Sequence, residues 1–206
     1  MYVLYKIQAM QKTQKRSDAQ MHRALLLDAA DKVFSEHGVH VALELVTAQA
    51  GVSRATLYRN FPDRDALMGA LLERSFEKLE AHAQQLEGRG DALFGVLEHM
   101  AHLVADSAPV SDHWRTADRG SPVLADAQRR LTRLVKPLLQ QAIAAGLCRA
   151  DFTAKDVILV SSMIGSGLRG RTRAERRSLS RRALHLLLDG LRATSTAPCT
   201  PLPTPP

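Results

Sequence analysis

Cysteine is nearly absent from this 206-residue chain: Cys148 and Cys199 are the only two, and no CxxC pair occurs. That argues against a disulfide framework and a cysteine-ligated zinc site. Long apolar runs are also missing, so no segment reads as a membrane span. The weakly apolar start, Met1 to Met10, lacks an h-region and a small-residue cleavage site. No signal peptide is read, and a soluble cytoplasmic protein is expected. There is no glycine-rich phosphate loop, no GxSxG and no convincing nucleophile–base pair, which argues against an enzyme. Nothing calls for a cofactor. Strand-like alternation is almost missing, and no internal repeat is seen.

Basic charge and helical intervals are what the chain does have. The 28 lysines and arginines outweigh 21 acidic residues, for a net charge of +7. This balance favours an anionic partner and says nothing about fold. Glycine and proline divide the sequence into stretches of helical length, so an all-α fold is expected. Residues 1–17 read as a flexible arm, polar and basic from Gln11 onward. A first helix then runs from near Ala19 to His37 and stops at Gly38, a suitable residue just past a helix end. Its Leu26, Ala30, Val33 and His37 share a face, with Leu27 and Phe34 beside it. Short helices are expected over Leu43–Ala50 and Ser53–Asn60, and a long one from Asp63 to near Leu86. Further helices are expected over Asp91–Asp106, Pro122–Ala145, Ala154–Leu168 and Leu179–Ala193. Thr153 is a candidate N-cap and Pro137 a candidate kink. Between Ala108 and Pro122 lies a looser stretch with the only tryptophan, Trp114, and Arg169–Arg177 reads as a basic connection. The proline-rich segment from Thr194 to Pro206 reads as a disordered tail.

The segment Ala48 to Pro62 is the most informative. Two short helices meet at Gly51, and the second is opened by Ser53 and closed near Pro62. That pattern is the helix-turn-helix, whose second helix sits in a DNA major groove. Val52, Leu57 and Phe61 are spaced to face inward, which leaves Arg54, Ala55 and Thr56 at the N-terminal end that meets base edges. Arg54 is suited to guanine and the Thr56 methyl to thymine. Arg59 could serve bases or phosphates.

An ordered set of short motifs carries a resemblance: Leu26-Leu27-Asp28-Ala29-Ala30, Val33-Phe34 through Gly38, Ala50-Gly51-Val52-Ser53, Thr56-Leu57-Tyr58, Phe61-Pro62 and Ala66-Leu67. Together they resemble the N-terminal domain of the tetracycline-repressor (TetR) family of bacterial regulators, over about residues 20 to 75. The resemblance implies a three-helix helix-turn-helix DNA-binding domain over residues 18–63. A helical ligand-binding and dimerisation domain would follow over residues 64–193. It implies a ligand-responsive regulator, most readily a repressor, bound to a palindromic operator as a homodimer. Thr47, Ser53, Arg54, Ala55, Thr56, Tyr58, Arg59, Asn60 and Arg64 would lie at the DNA, with Tyr58, Asn60 and Arg64 on phosphates. Two positions depart from the family pattern. Val41 and Ala42 stand where a capping Thr or Ser is usual, and Asn60 stands where His is frequent. The lost cap costs roughly 1 kcal/mol by analogy with cap deletions.

In the second domain the resemblance implies a small apolar or amphipathic ligand, held in the helical core. Candidate lining residues are Phe76, Phe94, Met100, Leu103, Trp114 and Met163, with His99, His102 and Arg133 as polar groups. The last two helices would form a four-helix dimer interface, through Val157, Ile158, Ser161, Ile164 and Leu168 on one and Leu184, Leu187, Leu188 and Leu191 on the other.

Several features stay open. Lys6, Lys12, Lys15 and Arg16 could follow DNA or belong to a plain tail. Arg169, Arg171, Arg173, Arg176, Arg177, Arg181 and Arg182 are opposed locally only by Glu175, and either face solvent or meet a second anion. His99 and His102 at i, i+3, with Asp106 four further on, have a spacing that could gather metal ligands. His82 and His113 are further candidates, but no supporting motif is present, and no metal is expected. Cys148 beside Arg149 reads either as a reactive thiol or as a small residue at a helix end. The rival to DNA binding is a helical interaction protein that keeps the helix-turn-helix scaffold without binding DNA.

Overall fold

The computed structural model describes the backbone of residues 2–116, 121–166 and 172–192, with side chains from residue 18 onward except 108, 109, 115, 116 and 166. Among these residues the elements are helices: α1 Tyr2–His37, α2 Leu43–Ala50, α3 Arg54–Asn60, α4 Arg64–Gln85, α5 Ala92–Asp106, α6 Ala108–Thr116, α7 Pro122–Ala144, α8 Ala154–Ser166 and α9 Arg173–Leu191. No strand occurs among them, only an isolated bridge between Cys148 and Arg192. Leu168, Arg169, Arg171 and the segment from Thr194 onward lie outside the described residues.

Two compact units meet at Leu72 and Glu73, inside α4, rather than at the expected boundary after residue 63. The reason is that the first turns of α4 are core: Leu67, Met68 and Leu71 are buried in the first unit. That unit is built on α1, α2 and α3, with Leu26, Phe34, Val46, Leu57 and Phe61 fully or almost fully buried. In the second unit α5 is central and packs against α6, α7, α8 and α9. Its core holds Leu93, Val96, Leu97, Val135, Val157, Ile164 and Leu184.

Three boundaries differ from the sequence reading. α1 extends back to Tyr2, where an arm was expected up to residue 17. No glycine or proline interrupts Tyr2–His37, and Gln, Lys, Arg, Met and Ala are good helix formers, so polarity alone does not end the helix. The stretch around Trp114 is the helix α6, with Pro109 in its first turn, where a missing N–H costs nothing. α9 starts at Arg173, six residues before Leu179, because Thr172 and Glu175 form a capping box.

The early start of α9 also finds acidic partners for its arginines. Arg177 donates to both carboxylate oxygens of Asp106, and Arg173 Nε donates to Oδ1 at 3.1 Å. Arg176 is buried and donates to the Ala105 carbonyl, one of the last carbonyls of α5. Burial alone would raise the Asp106 carboxyl pKa, but the hydrogen bonds and charge of Arg177 and Arg173 outweigh it and hold the group well below the usual carboxylate range. The cluster is therefore partly a tie between α5 and α9, and Glu175 is not its only acid.

Candidate nucleic-acid interface

Gly51 ends α2 in the left-handed conformation, at φ 66°, which only glycine adopts without strain. Its N–H returns to Ala48 O and Val52 N–H to Thr47 O, closing the turn. Ser53 then caps α3: its Oγ accepts from Thr56 N at 3.2 Å. Leu57 and Phe61 are buried and fix the helix to its unit. The opposite side carries Arg54, Ala55, Tyr58 and Arg59, all exposed. The resulting surface is a short helix with a polar, cationic N-terminal end.

Some expected DNA residues are engaged inside the fold. Thr56 is buried at 7% exposure, and its hydroxyl lies 3.0 Å from Ser53 Oγ and accepts from Arg59 Nη2 at 3.0 Å. Its methyl is therefore not a free probe for thymine. Thr47 is buried too and donates to Glu44 O at 2.8 Å. Asn60 Nδ2 donates to Thr56 O at 2.8 Å, tying the C-terminal end of α3. Arg64 is the largest departure. Its guanidinium donates to the carbonyls of Val39 and Val41 and lies 5.8 Å from the Phe34 ring centroid. α2 has Ala42 at its cap position and no side-chain cap, as expected, and Arg64 braces the turn leading into it.

The sequence reading missed Glu44. Its Oε1 lies 3.1 Å from Arg54 Nη1, linking α2 to the first residue of α3. The Arg54 guanidinium is 5.6 Å from the Tyr58 ring centroid. Nothing in local spacing relates residues 44 and 54; only the turn at Gly51 brings them together.

The expected ligand and dimer residues scatter within the second unit. Phe76, Phe94, Met100 and Leu103 belong to its core or pack on it. His99 stacks on His82 with centroids 4.3 Å apart. Burial, and then the charges of His82, His102 and Lys78, lower the His99 pKa. Among the described residues no group of three or more His, Cys, Asp or Glu is placed to hold a metal ion. Trp114 meets His113 edge-on, and its buried indole N–H has no acceptor among the described residues. Arg133 lines an open groove of about 660 Å³ between α4 and α7, together with Glu80, Ala83, Leu134, Pro137 and Leu138. The other eight expected pocket residues do not line that groove. Cys148 is 3% exposed and burial pushes its thiol pKa up, against a reactive thiol.

The expected dimer stripe is the protomer's own core. Val157, Ile164, Leu184, Leu188 and Leu191 are buried, and Ile158 and Leu187 pack against them. Ser161 is half-buried and donates to Ile158 O. The apolar side chains left exposed on α8 and α9 are Leu159, Met163, Leu179 and Leu186. No described helix is long and apolar enough to cross a membrane.

A glycine-turned helix pair with a capped, cationic second helix, followed by a separate helical unit, defines a helix-turn-helix regulator. Residues 26–71 match the family described as bacterial regulatory proteins, tetR family, and residues 89–193 match the C-terminal domain of SbtR-like transcriptional regulators. The chain belongs to the TetR family of transcriptional regulators. It is 29% identical over 73 residues to an HTH-type transcriptional regulator of Staphylococcus aureus, a match covering 35% of this chain and 40% of that relative. A TetR transcriptional regulator from Streptomyces coelicolor has a similar structure, with TM-score 0.63 and 29% identity over 84% of this chain and 99% of that one. The TetR regulatory protein of Mycobacterium vanbaalenii gives TM-score 0.61 and 27% identity over 86% of this chain and 98% of that one.

Proposed function

We propose that the chain is a ligand-responsive repressor that binds a near-palindromic operator as a homodimer. The observation that carries the DNA reading is the exposed edge of α3, where Arg54, Tyr58 and Arg59 stand clear of the core while Leu57 and Phe61 anchor the helix. In this reading Arg54 meets bases, Tyr58 and Asn60 meet phosphates, and Arg59 serves either. Thr47, Ser53, Thr56 and Arg64 hold the surface in shape.

The exposed Leu159, Met163, Leu179 and Leu186 favour a second copy on α8 and α9, since apolar patches on one such face mark interaction sites. The α4–α7 groove sets Leu134, Pro137 and Leu138 beside Glu80, Glu87, Arg130 and Arg133, which favours a small amphipathic ligand with an apolar body and polar groups at the charged side chains. Such a ligand acts by preferring one arrangement of the dimer over another. A mobility shift against the chain's own upstream region, at several salt concentrations, tests the reading. Saturable binding that weakens with salt and exceeds binding to scrambled DNA supports it. Absence of DNA binding at low salt leaves the helical interaction protein as the better account.

A further inference from the structure

Glu44 poses a physical problem. A carboxylate in the first turn of α2 stands beside the cationic end of α3, on the surface proposed above to face DNA. Glu44 and Arg54 are both largely exposed, with side chains 54% and 67% accessible. A first-turn carboxylate favours the uncapped N-terminus of α2, but an exposed ion pair contributes little to stability, so folding accounts for an acid at this position and not for its pairing with Arg54. Near phosphates a carboxylate is repelled. The only groups in the major groove that welcome it are the exocyclic amines of cytosine and adenine, and glutamate pairs with cytosine N4.

We propose that Glu44 is a base-reading residue, whose carboxylate accepts a hydrogen bond from a cytosine amine while it steers the Arg54 guanidinium toward guanine. The inference rests on operator binding through α3. The geometry supplies both halves. Arg54 contacts Glu44 through Nη1 and lies beside the Tyr58 ring, so its direction is constrained from two sides. A guanidinium has five N–H donors, and one engaged nitrogen leaves an edge for guanine O6 and N7. A carboxylate likewise keeps acceptor capacity after one contact. A guanine acceptor edge and a cytosine amine lie side by side in each G·C pair, so an acid–base couple at 3.1 Å matches one pair or two neighbouring ones. The carboxylate also penalises every sequence without an amine there, which is a repulsive source of specificity.

The test is selection of bound duplexes from a random-sequence library by the full-length wild type, Glu44→Ala, Glu44→Gln and Arg54→Ala. Wild type should enrich C·G at the position facing Glu44. Glu44→Ala should lose that preference by roughly tenfold and soften the adjoining guanine preference. Non-specific binding should tighten in the same variant, because a repelled charge is gone. Glu44→Gln, similar in shape, should shift the preference toward adenine, which an amide reads. Base profiles unchanged in both Glu44 variants, with only a uniform change in affinity, would overturn the inference while leaving DNA binding intact. A wild type that enriches no sequence overturns the DNA reading as well.

Discussion

Arg64 Nη2 lies 2.6 Å from the carbonyl oxygen of Val41, and the same guanidinium also donates to Val39 O. The side chain expected on phosphate is thus a brace for the turn between α1 and α2. Arg64→Ala should lower the stability of the DNA-free protein by about 1.5–3 kcal/mol, the usual worth of hydrogen bonds from a charged group. Chemical denaturation without DNA measures it. If Arg64 serves phosphate alone, the free protein's unfolding will not change.

Thr56 should behave in the same way. Its hydroxyl joins Ser53 Oγ and the Arg59 guanidinium beneath the surface of α3. Thr56→Val keeps the shape, including a methyl, and removes these bonds, at a cost of about 1 kcal/mol. Base preference in a selected-duplex assay should stay as in wild type at every position. A preference altered at one base pair would return Thr56 to direct reading.

Asp106 gives a pH dependence with a definite sign. Its folded pKa is depressed below the ordinary aspartate value of 3.8, so its contribution is present above that value and fades as pH falls through the folded one. Arg173 and Arg177 are about half exposed, so water screens the pair, and Asp106→Asn should cost only about 1 kcal/mol near neutral pH. Denaturation curves of wild type and variant should converge in acid, below the ordinary aspartate value. A gap that stays constant down to the most acid pH would show that the arginine contacts do not matter.

Dimerisation should depend on the exposed apolar side chains. Leu159 and Leu186 are 58% and 68% exposed, so Leu159→Glu with Leu186→Glu should leave the protomer folded. Sedimentation should then show monomer. Ile164→Asp, by contrast, places a charge in the core and should unfold the second unit. A dimer that survives the paired glutamates is held by another face.

The reading head was largely legible because its signals are local. Gly51, Ser53 and Pro62 delimit α2 and α3, and the boundaries Leu43–Ala50 stand as expected. What was illegible depended on distant partners. The arginines at the start of α9 looked opposed only by Glu175 because Asp106 is far away in sequence. Arg64 points at carbonyls more than twenty residues back, and Glu44 reaches Arg54 only through the turn. The best apolar stripe on α9 was assigned to a partner, yet α5 occupies it within the protomer. Amphipathic period identifies a face to be covered but not which helix covers it.

Salt-resolved binding to the chain's own upstream region and to scrambled DNA tests most directly whether α3 reads DNA through Arg54. Arg54→Ala should reduce the preference for operator over scrambled DNA by roughly tenfold or more, while scrambled DNA loses only what one charge supplies. Equal losses on both DNAs, or an unchanged preference, would contradict base reading by Arg54 and with it the assignment of this surface.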